Sequence, residues 1–478
     1  MTTNRHADET APAAAGTRAT FGSKLGILAA TAGSAVGLGN VWRFPSETAN
    51  GGGAVFVLIY LACVCFFGLP VVLAEFILGR AGKANPAGAY RNLAPGRPFH
   101  YFGVFAVTAS VLILGFYMVV AGWTFEYFRL AAAGTLAETT DFAGVFRSLS
   151  DDVWRQFFWL AVAVAATASI VGCGVKKGIE FASKLMMPLL FLLLLVMCAR
   201  AVTLPGSGAG IAYLFSPDFS KLSPSVFISA LGQSFFSLSL GMGCLITYAS
   251  YFGPDVRLGK TAGQLAVTDT LVAVLAGVTI FGTAFSVGGN AGDVADALAH
   301  GGPGLIFVTL PQLFQTLPLG QFWATAFFLL LILATVTSAI SIYEIATSFL
   351  HEEFRLSRVS AVVVLSALTL VFGFFSAASL GSVPADGESA GSLAGTLTLC
   401  GKTFFDWLDT LTAKWMMPLG GLFVSWFVGW HLDRKLVHAQ LSNNDTFVIR
   451  FFRTYVFLLR FVAPVGIATI FLAQLLAS

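Results

Sequence analysis

Residues 31–45 place polar and helix-breaking residues inside an apolar segment that is long enough to cross a lipid bilayer. Among them are three glycines, Asn40 and Arg43. Glycine costs about 1 kcal/mol relative to alanine in a helix interior, and an arginine at mid-membrane costs at least about 2.5 kcal/mol. Non-helical backbone at that depth is tolerated only where it is buried in protein or lines a wet cavity. The stretch therefore predicts a broken transmembrane helix whose break forms a binding site.

A second apolar segment, residues 232–251, has the same anomaly. It contains Gly241 and Gly243, preceded by Ser237 and Ser239. The two interrupted segments come first in successive runs of five apolar segments, and such matching positions are typical of transporters built from inverted repeats. Because five is odd, the second run would enter the membrane from the opposite side. The alternative, that small residues only permit close helix packing, would have to apply twice at matching positions.

The apolar segment at residues 318–350 carries a stripe of small and polar residues. Ala334, Thr337, Ser338 and Ser341 are spaced i, i+3, i+4 and i+7, so they share one helical face. Serine and threonine often bond only to their own helix backbone, so the stripe alone is open to either interpretation. Beside two broken helices, it predicts a site for a hard cation such as sodium, because hard cations take oxygen ligands.

Five ionisable side chains fall within apolar segments and are functional candidates by default: Arg43, Glu75, Glu126, Asp269 and Glu344. For Glu126 we expect an interfacial position near a helix end. Asp269 has no partner nearby in sequence, so a cation or a helix break is its expected neighbour. Glu75 is expected either to cap N–H groups exposed by a break or to act directly in function.

Membrane-spanning helices must position these residues. The chain of 478 residues is 56% hydrophobic and only 11% charged, whereas a soluble protein carries about 25% charge. Since a span needs about 20 apolar residues, we predict an all-α polytopic membrane protein with eleven spans. They are numbered 1 to 11 and lie at residues 24–48, 54–79, 101–130, 153–172, 179–202, 225–251, 262–289, 318–350, 358–379, 404–432 and 452–476.

Charge in the loops predicts the orientation of these spans. Lysine and arginine cluster in the first residues and in the loops after spans 2, 4, 6, 8 and 10, whereas the other loops are acidic or neutral. The positive-inside rule then places the N-terminus in the cytoplasm and the C-terminus outside. Residues 1–20 are expected to be a disordered cytoplasmic tail rather than a signal peptide. The net charge of +3 follows from this topology and does not indicate nucleic-acid binding.

The sequence contains no motif for metal binding by cysteine, for ATP hydrolysis or for enzyme catalysis. The six cysteines have no metal-ligand spacing apart from Cys63-x-Cys65, and they are expected to pack as small hydrophobic residues. A Walker loop, an HExxH motif and a nucleophile elbow are all missing. We therefore expect neither ATP-driven transport nor an enzyme.

The chain resembles the neurotransmitter:sodium symporter family, in particular its bacterial amino-acid transporters with the LeuT fold. The resemblance extends from Arg18 to span 11. The motifs that carry it, in order, are Gly37-Leu-Gly-Asn-Val-Trp-Arg-Phe-Pro45, Asn50-Gly-Gly-Gly-Ala54, Glu75-Phe-Ile-Leu-Gly-Arg80, Gly178-Ile-Glu180 and Gln233-Ser-Phe-Phe-Ser-Leu-Ser-Leu-Gly241. It implies a 5+5 inverted repeat, with spans 1–5 in residues 21–203, spans 6–10 in residues 225–432, and an extra span in residues 449–478.

The resemblance also implies two sodium sites. The first would combine the substrate carboxylate with Ala35, Asn40, Ser237 and Asp269. The second would combine Gly33, Val36, Ala334, Thr337 and Ser338. Animal members use chloride to balance charge near the first site, so a carboxylate at position 269 implies that chloride is not required.

The implied substrate is an amino acid held at the two helix breaks, where free N–H groups suit a carboxylate and free carbonyls suit an ammonium. The implied binding residues are Ser34, Ala35, Leu38, Gly39, Ile113, Tyr117, Phe236, Ser237, Ser239, Met242, Ser341 and Ile342. Relatives selective for small aliphatic amino acids can carry phenylalanine at the position of Met242. Because methionine is slimmer and more flexible, we expect hydrophobic L-amino acids, including aromatic ones.

Gates are implied at both ends of this site. Arg43 would pair with Asp409, or with Asp406, on the outer side. Arg18 would pair with Glu352 on the inner side, where Phe21 would pack against the core. The loop at residues 290–316, with Gly301, Gly302 and Pro303, would be an extracellular lid, and the membrane would be the bacterial inner membrane.

Two rival functions stay open at this point. One is a sodium-coupled carrier for another solute class, such as an osmolyte or amine, although an amine would favour a carboxylate near position 35, where the chain has small residues. The other is a substrate-gated channel or a non-transporting sensor. The oligomeric state does not follow from the sequence, and transport is expected to occur within one protomer, in contact with membrane lipid.

Overall fold

The computed structural model describes residues 18–286, 298, 304–381 and 397–477. Most of the expected tail at residues 1–20 lies outside the described residues, as do Gly301, Gly302 and Pro303 of the expected lid. The described chain is helical almost throughout, which confirms the predicted all-α class.

Eight helices of the described chain are long and apolar enough to cross a membrane, by length and composition. They correspond to predicted spans 2, 3, 4, 5, 7, 8, 9 and 11, in that order: Ala54–Gly82, His100–Ala132, Val153–Gly172, Val175–Val202, Leu258–Ser286, Gly320–Glu353, Arg358–Ala378 and Phe452–Leu475. A ninth span is a bent pair, Lys24–Ala35 and Gly39–Asn50, whose axes differ by 51°. We call these two pieces 1a and 1b, and they lie at predicted span 1.

The two remaining predicted spans are also helical. Span 6 is divided into helix 6a, Pro224–Ser237, and helix 6b, Cys244–Ala249. Span 10 is continuous over residues 404–431, with α-helix at Phe404–Asp409 and Met417–Trp426 and wider π-helical turns at Thr410–Met416 and Phe427–His431. The two predicted breaks therefore lie where the glycines predicted them.

Short elements connect the spans. The helices among them are Pro86–Leu93, Thr135–Glu138, Phe142–Asp151, Ser207–Phe215, Phe219–Lys221, Leu305–Gln315 and Arg434–Ser442. Before span 10, strands β1 (Thr398–Leu399) and β2 (Lys402–Thr403) form a small antiparallel hairpin in which Thr398 pairs with Thr403.

Spans 3 and 8 form the centre of the molecule. In their most apolar windows, 72% and 78% of the residues are buried, compared with 28% in spans 5 and 11. Helix 1a packs against span 8, and spans 3 and 8 pack against each other. The broken helices therefore meet the two most buried spans, away from the lipid-facing ones.

The break in span 6 depends on glycine at two positions. Gly241 and Gly243 both have a φ of +83°, a left-handed conformation that residues with a Cβ adopt at a cost. A Cβ on Gly241 would also lie 2.7 Å from the backbone nitrogen of Gly421 in span 10. The chain therefore unwinds between 6a and 6b and packs backbone against backbone on span 10.

Candidate functional site

A buried polar cluster forms just after the break in span 1. Asn40 Oδ1 accepts a hydrogen bond from the Gly37 backbone N–H at 3.0 Å, and its Nδ2 donates to Asp269 Oδ1 at 2.7 Å and to Ser237 Oγ at 3.2 Å. Ser237 Oγ donates to Asp269 Oδ2 at 2.7 Å. The helix break is thus the neighbour expected for Asp269, and three of the four protein residues assigned to the first sodium site lie together.

Tyr60 of span 2 completes this group, which we call the Asp269 cluster (Asn40, Tyr60, Ser237 and Asp269). Its hydroxyl donates to Asp269 Oδ2 at 3.2 Å, and the side chain is fully buried. Tyr60 is not among the predicted site residues, because a tyrosine inside an apolar span has the pattern of an ordinary core residue. The only signal was its hydroxyl, which needs a partner when buried.

A second cluster, which we call the Ser338 cluster, joins helix 1a to span 8. Ser338 Oγ donates to the carbonyl oxygens of Val36 at 3.1 Å and Gly33 at 3.4 Å. The adjacent Thr337 donates from Oγ1 to the Ala334 carbonyl at 3.1 Å. The cluster consists of Gly33, Val36, Ala334, Thr337 and Ser338, the five residues assigned to the second sodium site.

The oxygens of the Ser338 cluster suit a hard cation. Three are backbone carbonyl oxygens and two are hydroxyls, and hard cations take oxygen ligands. In the part of the chain that the structure describes, no group of three histidine, cysteine or acidic side chains could hold a metal ion. Neither cluster therefore has the nitrogen and sulfur ligands typical of zinc sites.

A cavity of about 50 Å³ lies between the two breaks. Its wall includes ten of the twelve predicted binding residues: Ser34, Ala35, Leu38, Gly39, Ile113, Tyr117, Phe236, Ser239, Met242 and Ile342. Ser237 belongs instead to the Asp269 cluster, and Ser341 Oγ donates to the Ser338 carbonyl at 2.6 Å. No charged side chain lines the cavity among the residues described.

The two breaks contact each other at the cavity wall. Ser239 Oγ donates to the Ser34 carbonyl at 2.8 Å, so the unwound part of span 6 is tied to helix 1a. On the opposite wall, the Tyr117 hydroxyl donates to the Thr335 carbonyl at 3.4 Å. The cavity thus lies between two unwound backbones and the side chains of span 3.

Span 10 contributes a wall that sequence analysis did not predict. Thr412, Ala413 and Met417 line the cavity, together with Gly37, Phe116 and Ser338. Thr412 and Ala413 belong to the π-helical turns of Thr410–Met416, a conformation frequent at functional sites. The sequence implies only a gate residue in span 10, and nothing in its composition indicates a wider turn.

Glu75 lies beside the break in span 6. Its Oε1 accepts a hydrogen bond from the Gly241 backbone N–H at 2.8 Å, and the side chain is fully buried. N–H groups at a helix start lack intrahelical partners. Of the two roles considered for Glu75, this geometry supports the capping role.

At the Arg18 end of the molecule, the predicted pair is in contact. The Arg18 guanidinium forms an ion pair with Glu352, and its Nε donates to Ser250 Oγ at 2.9 Å. It also lies 4.7 Å from the ring centroid of Tyr251. Phe21 packs edge-on against Tyr248, with ring centroids 5.9 Å apart. These contacts join the N-terminal segment to the end of span 8 and to the end of span 6.

At the Arg43 end, the predicted pair is not in contact. Arg43 Nε interacts with Glu47 Oε1 at 3.4 Å, and the guanidinium lies 4.6 Å from the centroid of the Phe236 ring. Within the described chain, Arg43 and Asp409 form no ion pair. Asp406 Oδ2 accepts from Thr403 Oγ1 at 2.8 Å as part of a helix cap. Asp406 is thus engaged in capping its own helix, whereas Asp409 takes no part in that cap.

Two further intramembrane acids are paired. Glu126 is completely buried and forms ion pairs with Arg155 and, at 2.8 Å, with Arg129. Glu126 lies near the end of span 3, which ends at Ala132, in keeping with the expected position, and its partners Arg129 and Arg155 are partly exposed. Glu344 accepts a hydrogen bond from the Tyr251 hydroxyl at 2.6 Å and forms an ion pair with Arg358. Both acids have structural partners and face neither oxygen cluster.

Comparison with protein-family models matches residues 18–141 and 151–478 to the sodium:neurotransmitter symporter family. The chain is 33% identical over 454 residues to the uncharacterized sodium-dependent transporter YhdH of Bacillus subtilis, covering 95% of this chain and 96% of that one. It is 34% identical over 470 residues to an uncharacterized sodium-dependent transporter of Haemophilus influenzae, covering 96% and 98% of the two chains.

Among solved structures, the chain is similar to MhsT in complex with L-phenylalanine. The TM-score is 0.85 at 38% sequence identity, and the match covers 96% of this chain and all of that one. MhsT has the LeuT fold, so this similarity confirms the predicted fold class.

Proposed function

Because the chain belongs to the sodium:neurotransmitter symporter family and is a sodium-dependent transporter, we propose that it imports hydrophobic L-amino acids, including aromatic ones. The observation that carries this proposal is the uncharged lining of the cavity between the two helix breaks. A lysine or glutamate side chain in such a cavity would be buried without a partner, which is costly. The L-phenylalanine bound to MhsT is in keeping with this substrate class.

The free backbone groups at the breaks would hold the two charged ends of the substrate. N–H groups of Leu38 and Gly39 would face the carboxylate, since the start of a helix favours an anion. Carbonyl oxygens near Ser34 and Phe236 would face the ammonium. The side chain would lie against Ile113 and the other apolar residues of the cavity wall.

Two sodium ions would accompany the substrate. One would bind in the Asp269 cluster together with the Ala35 carbonyl and the substrate carboxylate, so that each ligand completes the site of the other. The second would bind in the Ser338 cluster. Since Asp269 already supplies a buried negative charge, chloride would not be required.

Transport would follow alternating access around this central site. The Arg18–Glu352 pair would close the cytoplasmic side, and Arg43 and Asp409 would close the opposite side in another state. Glu75 would keep the break in span 6 open to the cavity in both. Residues 21–203 and 225–432 would form the two repeats, in a bacterial inner membrane with the N-terminus in the cytoplasm. Each sodium ion entering down the potential supplies about 2.3 kcal/mol per 100 mV.

Uptake into proteoliposomes tests the proposal. We expect labelled phenylalanine, tryptophan and leucine to accumulate only with an inward sodium gradient, and replacement of chloride by gluconate to leave uptake unchanged. Asn40→Ala and Asp269→Ala should abolish accumulation while the protein still inserts and purifies as a single species. Uptake by the wild type that ignores sodium, or that prefers lysine or glutamate, would contradict the proposal.

Met242 offers a test of the substrate class. Its side chain is 5% exposed, between two glycines and at the wall of the cavity. Met242→Phe adds a rigid ring there, so we expect uptake of tryptophan relative to alanine to fall about tenfold, by analogy with the 1–3 kcal/mol cost of overpacking. Met186→Phe, in a half-buried position outside the cavity wall, is the matched control and should leave this ratio unchanged. A ratio that stays constant in Met242→Phe would place the substrate side chain elsewhere.

A further inference from the structure

A cavity at the start of helix 1a lies outside the transport site. It measures about 420 Å³ and is formed by the start of helix 1a, the loop at residues 255–257 and the start of span 7. Three cations surround it, Lys24, Arg257 and Lys260, against one acid, Asp255. The cavity therefore carries an excess of positive charge.

These cations have little internal compensation. Lys24 Nζ is 3.9 Å from Asp255 Oδ2, with the two side chains 82% and 70% exposed, so this pair contributes little. Arg257 stacks 5.2 Å from the ring centroid of Phe447, and neither Arg257 nor Lys260 has an ion pair within the described chain. A ligand with a negative charge would supply the missing partner.

The cavity is situated where a membrane lipid would present its headgroup. Helix 1a begins at Lys24 and span 7 begins at Leu258, so the cations lie where two spans enter the bilayer. Exposed apolar side chains lie beside and beyond these cations. Leu25 directly follows Lys24 and is 63% exposed, and Val267, two turns after Lys260 on span 7, is 67% exposed.

Span 7 shows this change of character along one face. Lys260, Gln264, Val267 and Leu271 are spaced i, i+4, i+7 and i+11 and are all exposed, so they form one stripe. The stripe runs from a cation through an amide to two apolar side chains. A headgroup with an attached acyl chain has the same order of chemistry, whereas a free phosphate would have no use for the apolar part.

We propose that this cavity is a binding site for an anionic phospholipid. Its phosphate is held by Lys24, Arg257 and Lys260, and its acyl chain lies along Leu25 and Val267. The lipid thereby bridges helix 1a and span 7. The site is independent of the substrate that the protein transports.

Native mass spectrometry of the full-length protein with phosphatidylglycerol and phosphatidylcholine tests the site. We expect the wild type to retain phosphatidylglycerol preferentially. Lys260→Gln, which removes no ion pair seen in the described chain, should weaken that binding about fivefold, and Arg257→Gln with Lys260→Gln more than tenfold, because each basic residue near the surface contributes a similar attraction. The matched control, Arg434→Gln with Lys435→Gln, removes the same two charges from exposed positions elsewhere and should change binding less than twofold.

Three results would overturn the proposal. Equal retention of the two lipids by the wild type would show that the site does not select anionic lipids. An equal loss of binding in the control variant would show that the effect comes from general surface charge. Displacement of phosphatidylglycerol by the same concentration of soluble glycerol phosphate would show that the site binds an anion without an acyl-chain contact.

Discussion

The two oxygen clusters beside the break in span 1 differ in charge. The Asp269 cluster follows the break and contains a carboxylate, which accepts hydrogen bonds from Asn40, Ser237 and Tyr60. The Ser338 cluster precedes the break and contains only hydroxyl and backbone carbonyl oxygens. Both clusters are buried, so bulk water cannot screen the difference in charge between them.

This difference predicts unequal behaviour toward a monovalent cation. Sodium in the Asp269 cluster would be neutralised by the carboxylate, whereas sodium in the Ser338 cluster would depend on dipoles alone. Because a buried charge is costly without a partner, we expect the neutral cluster to hold sodium more weakly. Variants that change one cluster at a time test whether the two clusters bind sodium with unequal strength.

The largest effect is expected from Asp269→Asn. The change keeps the size of the side chain but removes the only charge of its cluster, so a bound cation loses its counter-charge. Loss of one partner from a buried charge pair costs about 3–5 kcal/mol, which corresponds to more than about 100-fold in sodium affinity. Sodium-dependent substrate uptake and the half-saturating sodium concentration measure the effect.

Asp218→Asn is the control for this variant, since Asp218 is exposed in the loop between spans 5 and 6. It should transport like the wild type. If external chloride restores part of the uptake in Asp269→Asn, the carboxylate acts through its charge. Unchanged half-saturation by sodium in Asp269→Asn would remove this residue from the ion site and make the two clusters equivalent.

A smaller effect is expected from Ser338→Ala. The substitution deletes the hydroxyl that contacts both Val36 and Gly33, but it leaves the carbonyl oxygens of its cluster in place. Loss of one neutral oxygen ligand should raise the half-saturating sodium concentration about tenfold, corresponding to about 1.4 kcal/mol.

Ser348→Ala provides the matched control for Ser338→Ala. Ser348 is buried on the same helix, and its hydroxyl donates only to the Ile345 carbonyl at 3.0 Å among the described contacts. Its removal should leave sodium dependence unchanged. If both serine variants change sodium affinity equally, the hydroxyl of Ser338 acts through the packing of span 8 and not as an ion ligand.

Much of this arrangement could be predicted because its signals lie within short stretches of sequence. Apolar blocks indicate the positions of the spans, and glycines indicate both breaks. In span 6 the left-handed φ of Gly241 is costly for other residues, and in span 1 a Cβ on Gly37 would clash with Ser338. The spacing of Thr337 and Ser338 placed them on one face of span 8. Each signal depends on local backbone geometry.

The contacts that could not be predicted depend on distant partners. Thr412 reaches the cavity because span 10 has wider turns there, and no residue type specifies such turns. Arg43 was expected to face an acid of span 10 but interacts with Glu47 one turn away. Tyr60 has the sequence pattern of a core residue, and only the fold places its hydroxyl beside Asp269. In each case the contact depends on tertiary packing, which local sequence does not specify.

The smallest effect is expected from Tyr60→Phe, which tests whether this unpredicted hydroxyl belongs to the Asp269 cluster. The change deletes one of three donors to the carboxylate and leaves Asn40 and Ser237 in place. A hydrogen bond contributes about 1 kcal/mol, so sodium affinity should fall about fivefold.

Tyr127→Phe is the matched control for this variant, because Tyr127 is also fully buried and its hydroxyl has no hydrogen-bond partner within the described chain. Its sodium affinity should stay at the wild-type value. If Tyr60→Phe has the same sodium affinity as Tyr127→Phe, the Tyr60 hydroxyl does not contribute to sodium binding. The functional cluster then consists of Asn40, Ser237 and Asp269. If its loss instead matches that of Asp269→Asn, the carboxylate depends on Tyr60 for its position, and the contrast between the two clusters is one of geometry as well as charge.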